Sequence, residues 1–131
     1  MRMGTRDIEP VVIDCGSKRC KAGFAGDDYP RAVFQTMVGK PAHQILMDTD
    51  SVFVGDEAES KRGILRLRFP VEKGVVVDWD DMEAVWRHIF QSELRVDQRD
   101  TPVLLSQKYL TPLQDKVKAA EIMFETFGVP S

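Results

Sequence analysis

Val-Val-Ile-Asp-Cys-Gly-Ser-Lys-Arg-Cys-Lys, residues 11–21, is the stretch on which the reading of the whole chain turns. An apolar run ends at Asp14, a polar turn opens at Gly16, and basic residues follow. Buried strands are short apolar runs bounded by turn residues, and a turn with free backbone N–H groups beside a lysine suits an anion. The outline is that of a phosphate-holding hairpin. It is also that of an ordinary hairpin turn, and these residues alone leave both readings open.

Composition narrows the classes. The 131 residues are 43% hydrophobic and 30% charged, the balance of one globular domain with a real core. Eighteen Lys and Arg are scattered among twenty-one Asp and Glu, for a net charge of −3 and a pI near 5.4. That argues against a nucleic-acid partner, which would demand a basic face. There is no apolar run of about eighteen residues and no charged-then-apolar leader, so neither a membrane partner nor secretion is expected and the default compartment is cytoplasmic. Cys15 and Cys20 have no second Cys or His pair to complete a metal site, His43 and His88 standing alone. Reduced, partly buried thiols are therefore expected.

Along the chain, residues 1–10 are polar and mixed in charge, as in a mobile terminus. Strand-like runs at 11–14, 21–25 and 32–38 are separated by Gly- and Asp-containing turns, which predicts an antiparallel meander. Residues 39–50 read as a projecting loop carrying Ile45-Leu46-Met47, followed by a strand-like run at 51–54. Asp56 and Glu59 predict a capped short helix that stops at Gly63. Residues 69–77 predict two strands meeting at Lys73-Gly74. Asp78 then offers an N-cap to a helix whose Met82, Val85, Trp86, Ile89, Phe90 and Leu94 fall on one face, with Trp86 in the core. A buried strand at 102–106 precedes a second helix, with Thr111 as N-cap, Pro112 at the first position and Gln114 closing a capping box. Leu113, Val117, Ala120, Phe124 and Phe127 are its expected apolar face, and Gly128 its C-cap. Three antiparallel strands, a helix, a strand and a helix open a ribonuclease-H-like α/β layer. By the right-handed crossover rule, the strand after the helix lies parallel to the first.

Longer segments carry a resemblance. Lys-Ala-Gly-Phe-Ala-Gly-Asp-Asp at 21–28, Pro-Arg-Ala-Val-Phe at 30–34, Val-Gly-Asp-Glu-Ala at 54–58 and Ser-Lys-Arg-Gly-Ile-Leu at 60–65 are similar to actin. So are Trp-Asp-Asp-Met-Glu at 79–83, Glu-Leu-Arg-Val at 93–96, Pro-Val-Leu-Leu at 102–105 and Ile-Met-Phe-Glu-Thr-Phe at 122–127. In order, they cover nearly the whole chain from Val11 onward and resemble the N-terminal third of an actin or actin-related protein, in divergent form.

The resemblance implies an actin-like ATPase fold, here incomplete: residues 1–35 and 70–131 forming part of the outer domain of the large lobe, and 36–69 a small inserted subdomain with a DNase-binding-type loop. It implies ATP or ADP and Mg²⁺ as cofactors, actin-like subunits or actin-binding proteins as partners, and a cytoplasmic, cytoskeletal location. By the match, Asp14 faces the cation through water. Gly16, Ser17, Lys18 and Arg19 hold terminal phosphates through the Ser17 hydroxyl and backbone N–H groups, and Lys21 neutralises their charge. The chemistry agrees, since Mg²⁺ keeps several waters and takes few carboxylates.

Departures from the family pattern qualify this. Lys18 stands where actins carry a glycine, and either adds a charge contact or blocks the loop. Lys73 replaces a histidine associated with phosphate release, residues 106–112 follow the family only in part, and the loop at 39–50 is several residues short. Arg2, Arg6, Asp7 and Glu9 replace the acidic cluster used by myosin. The water-positioning glutamine, the second phosphate hairpin and the adenosine pocket belong to parts of an actin that this stretch does not contain, so no catalytic residue is assigned and ATP hydrolysis by the chain alone is not expected. Each missing charge-assisted bond is worth roughly 1.5 to 3 kcal/mol, which predicts weak ATP binding. Two functions follow as expectations: a truncated ATP-dependent, filament-forming cytoskeletal protein, or a stand-alone interaction module without nucleotide chemistry. In either case an open sheet edge and uncovered helix faces are expected.

Overall fold

A computed structural model of the chain describes residues 9–41, 51–108 and 110–131. Strands β1 (Val11–Cys15), β2 (Arg19–Phe24) and β3 (Ala32–Gln35) form the predicted antiparallel meander. The chain then leaves this sheet. Between the paired Gln35 and Val38, the Met37 N–H bonds back to the Gln35 carbonyl at 2.9 Å, and β4 (Val38–Pro41) starts a second sheet with β5 (Phe53–Val54) and β6 (Leu65–Arg68) in the order β5-β4-β6. The run at 32–38, expected as one strand, is thus two, because the tight turn at Thr36-Met37 breaks the ladder. Gly39 to Pro41, expected at the start of a loop, belong to β4, and 42–50, with Ile45-Leu46-Met47, lie outside the described residues.

The short helix α1 (Asp56–Ser60) forms without its expected capping box. Gly55 is the N-cap, at φ +66°, and no side chain caps it; a glycine accepts this left-handed backbone, and a Cβ there would also collide with Phe34. The helix ends at Ser60, three residues short of Gly63. Strands β7 (Val71–Glu72) and β8 (Val75–Val76) pair across Lys73-Gly74, as the sequence predicts; their φ values of +52° and +80° suit a type I′ turn.

Asp78 caps helix α2 (Trp79–His88), its Oδ1 accepting from the Asp81 N–H at 3.0 Å. The helix continues as a π turn over Ile89–Glu93. All six predicted stripe residues, Met82 through Leu94, are buried. They pack against Val11, Ile13 and Ala22 of the meander, and full burial of a side chain such as Phe90 contributes about 1.5 to 3 kcal/mol. Strand β9 (Val103–Leu105) then lies parallel to β1, Val11 opposite Val103, completing the order β3-β2-β1-β9. The right-handed crossover expectation is met in direction.

Helix α3 (Leu113–Glu121), with its π turn Ile122–Thr126, departs most from expectation. Its N-cap is Pro112, one residue later than expected, and no side chain caps it, since proline has no side-chain acceptor; the Thr111 N–H donates to the Lys108 carbonyl in the preceding turn. Four of the five residues of the predicted face point outward: Leu113 is 74% exposed, Val117 55% and Phe124 52%, and Ala120 is exposed too. Of that face Phe127 is inside as expected, its ring edge-on to Phe90 at 5.3 Å, and Ala119, Ile122 and Met123 are buried beside it in place of the others. The helix carries two apolar stripes, and small Ala119 allows the second to approach the sheet.

The second sheet has its own small core of Met37, Ala58 and Leu65. An ion cluster joins it to α2. Arg68 Nε lies 2.9 Å and Lys40 Nζ 3.6 Å from the buried Asp81 carboxylate, and Arg68 also pairs with Asp78. Neither Asp81 oxygen receives a well-directed hydrogen bond among the described residues, and burial holds its carboxyl above the ordinary carboxylate range. Asp78 goes the other way, held low chiefly by the N–H of Asp81.

Candidate phosphate and cation site

The β1–β2 hairpin gathers every residue singled out in the sequence at one end of the sheet. Asp14 is the exposed fourth residue of β1, Gly16 to Lys18 form the turn, exposed Arg19 opens β2, and exposed Lys21 lies directly across from Asp14. The Gly16 N–H bonds to the Arg19 carbonyl at 2.8 Å and the Ala25 N–H to the Pro10 carbonyl at 2.9 Å, so alternate pairs are hydrogen-bonded. Asp14 and Lys21 form such a pair, which sets their Cα atoms about 5.5 Å apart with both side chains on one face. Neither has an ion-pair partner among the described residues.

The turn is held from outside at two points. The Thr36 N–H donates to the Lys18 carbonyl at 2.9 Å, and the Gly74 N–H donates to Ser17 Oγ at 2.9 Å. The carbonyl and hydroxyl oxygens are thus engaged, whereas the N–H groups of Ser17 and Lys18 meet no acceptor among the described residues. Arg19 pairs with Gly16 across the turn, so its N–H is directed into the hairpin. Two adjacent N–H donors without an acceptor suit an oxyanion. Asp14 and Gly16 border a cavity of about 160 Å³ walled by Trp79, Trp86 and Leu105, and Ser17 to Arg19 border a second of about 370 Å³ with Gln35, Thr36 and Phe69. The buried Trp86 Nε1 has no acceptor among the described residues.

A family model for actin matches residues 5–131. The chain belongs to the actin family. Its mixed α/β sheets with helices fit the actin-like fold class, and no helix among the described residues is long and apolar enough to cross a membrane.

Two features of this actin-family chain were not legible in its motifs. The hydrogen bond to Ser17 comes from Gly74, 57 residues away, in a turn whose sequence signals only its own geometry. The space that a side chain at Gly74 would need is filled by Cε and Nζ of Lys108, which places a further cation beside that turn. The second feature is a correction. Cys15 and Cys20, expected as reduced thiols, are joined in a disulfide. Their spacing in sequence carried no metal pattern, but the hairpin register makes them direct cross-strand neighbours.

Proposed function

We propose that the hairpin from Asp14 to Lys21 is one half of an ATP and Mg²⁺ site in an actin-like, filament-forming cytoskeletal protein. The observation that carries this is that, among the described residues, the N–H groups of Ser17 and Lys18 meet no acceptor and the facing Asp14 and Lys21 have no ion-pair partner. Backbone donors and one ammonium suit a polyphosphate. A single carboxylate fits a magnesium ion that keeps most of its waters, and among the described residues no group of three acidic, His or Cys side chains offers a fuller cage. Asp14 would hold magnesium there through water, and the ion would supply charge that offsets a bound polyphosphate. Lys21 would neutralise a terminal phosphate, and Gly74 would keep the Ser17 hydroxyl oriented. Lys18 is exposed on the turn and would add a positive charge beside the donors. No residue of the chain is proposed to catalyse hydrolysis.

With one hairpin, affinity for MgATP is weak, above the micromolar range in a calorimetric titration, and Lys21→Ala weakens it further by about tenfold or more. Micromolar binding that survives Lys21→Ala would count against this hairpin as the site.

A second reading, an interaction module without nucleotide chemistry, is favoured by the outward stripe of α3 with exposed Leu104 on the edge strand β9. Coding sequence downstream of Ser131 discriminates the two: an in-frame second Asp-x-Gly hairpin supports the first, a stop codon the second.

A further inference from the structure

We propose that Cys15 and Cys20 are a reversible thiol–disulfide site that sets the shape of the hairpin turn and, through it, the turn's hold on phosphate. The second half of this statement rests on the phosphate reading above; the first does not.

Three observations carry it. Cys15 and Cys20 form the pair immediately before the turn, one step from the bonded Gly16–Arg19 pair, and so occupy a non-hydrogen-bonded position, where facing side chains come closest. Their Cα atoms are 3.9 Å apart and the sulfurs are bonded. The two sulfurs are unequal: Cys15 is partly exposed and borders the 160 Å³ cavity, whereas Cys20 is fully buried. Finally, Thr36, itself 1% exposed, places Oγ1 3.3 Å from Cys20 Sγ while its N–H holds the Lys18 carbonyl. One residue thus touches both the bridge and the turn backbone.

These contacts define a direction of attack. A small dithiol reaches Cys15 Sγ from the cavity; its thiolate forms a bond to that sulfur as the Cys15–Cys20 bond breaks. Cys20 leaves as a thiolate beside the Thr36 hydroxyl, a ready donor, and takes up a proton. The second thiolate of the reagent then displaces Cys15, which is protonated in turn. Two electrons and two protons pass to the protein and the reagent becomes a cyclic disulfide. Oxidation reverses the exchange with a small disulfide. Once the bond is broken the sulfurs separate to van der Waals contact. Cys20 is fixed in the core, so Cys15 and its end of the turn move. The bridged form holds the Ser17 and Lys18 donors in place, and the open form must order them on binding.

The test uses the full chain, oxidised with a small disulfide or reduced with a dithiol. Mass spectrometry after alkylation counts thiols, hydrogen exchange follows residues 16–19, and inorganic triphosphate with Mg²⁺ serves as the probe. The expectation is reversible gain of two thiols, exchange of the turn about tenfold faster in the reduced form, and triphosphate affinity lower by about threefold or more. Cys15→Ser, at the less buried position, should match the reduced form and ignore the dithiol; Cys20→Ser repeats the test if that variant does not fold. Equal exchange in both forms overturns the switch, and unequal exchange with equal affinity overturns its link to phosphate. Should neither form bind triphosphate, the phosphate reading fails, and the exchange measurement alone decides the redox site.

Discussion

Helices α2 and α3 are built alike, each ending in a π turn at its C-terminal end, yet they relate to the core in opposite ways. Every residue of the α2 stripe is inside, from Met82 to Leu94, whereas of the stripe read on α3 Leu113, Val117, Ala120 and Phe124 are outside and Phe127 alone is inside. α2 has a side-chain cap in Asp78, and α3 has none. The crossover helix is pinned by the meander on one side and by the Arg68 and Lys40 cluster at its start. α3 has no such ion cluster at its start among the described residues, and it joins the core through Ala119, Ile122, Met123 and Phe127. A helical period therefore identifies a helix, but the elements that surround it select which stripe is buried.

The sharpest way to break this contrast is a pair of truncations. Phe90→Ala should destabilise the fold by about 3 to 5 kcal/mol, and Phe124→Ala by less than about 0.5 kcal/mol, in urea unfolding. Comparable losses would show that the α3 stripe is covered in solution. The caps come next. Asp78→Ala should cost about 1 kcal/mol, and Pro112→Asp, supplying the cap that α3 lacks, should gain a few tenths to about 1 kcal/mol by the same measurement.

A smaller effect lies in pH, and it belongs to α2 alone. Asp81 is held above its ordinary value of 3.8, first by burial, so the folded state binds its proton more tightly than the unfolded chain does. Its contribution to stability therefore rises as pH falls through the folded pKa toward 3.8. Asp78 is held below 3.8, first by the Asp81 N–H. Its contribution is complete above 3.8 and is lost as pH falls further, through its folded pKa. Chemical denaturation across mildly acidic pH should show the rise in the parent chain and lose it in Asp81→Asn; an unchanged profile would mean that Asp81 titrates normally.

The hairpin, the meander, the parallel return of β9 and the α2 face were legible because each is written in local periodicity and turn chemistry. The break at Thr36-Met37, the Gly55 cap and the choice between the two α3 stripes were not, since each is decided by distant neighbours. At the site, Asp14, the turn and Lys21 could be found from residues 11–21. The Gly74 tether, the Thr36 contact and the bridging of Cys15 to Cys20 required the register of the sheet.

The proposed site stands on the N–H groups of Ser17 and Lys18 holding phosphate. Backbone amide NMR of the ¹⁵N-labelled chain, titrated with MgATP, tests it even when affinity is weak. Saturable shifts are expected, concentrated at residues 16–19, with Gly74 following as its bond to Ser17 adjusts, and lost in Lys21→Ala. Saturable shifts confined to the α3 stripe, or none at the hairpin at concentrations that saturate elsewhere, would contradict it.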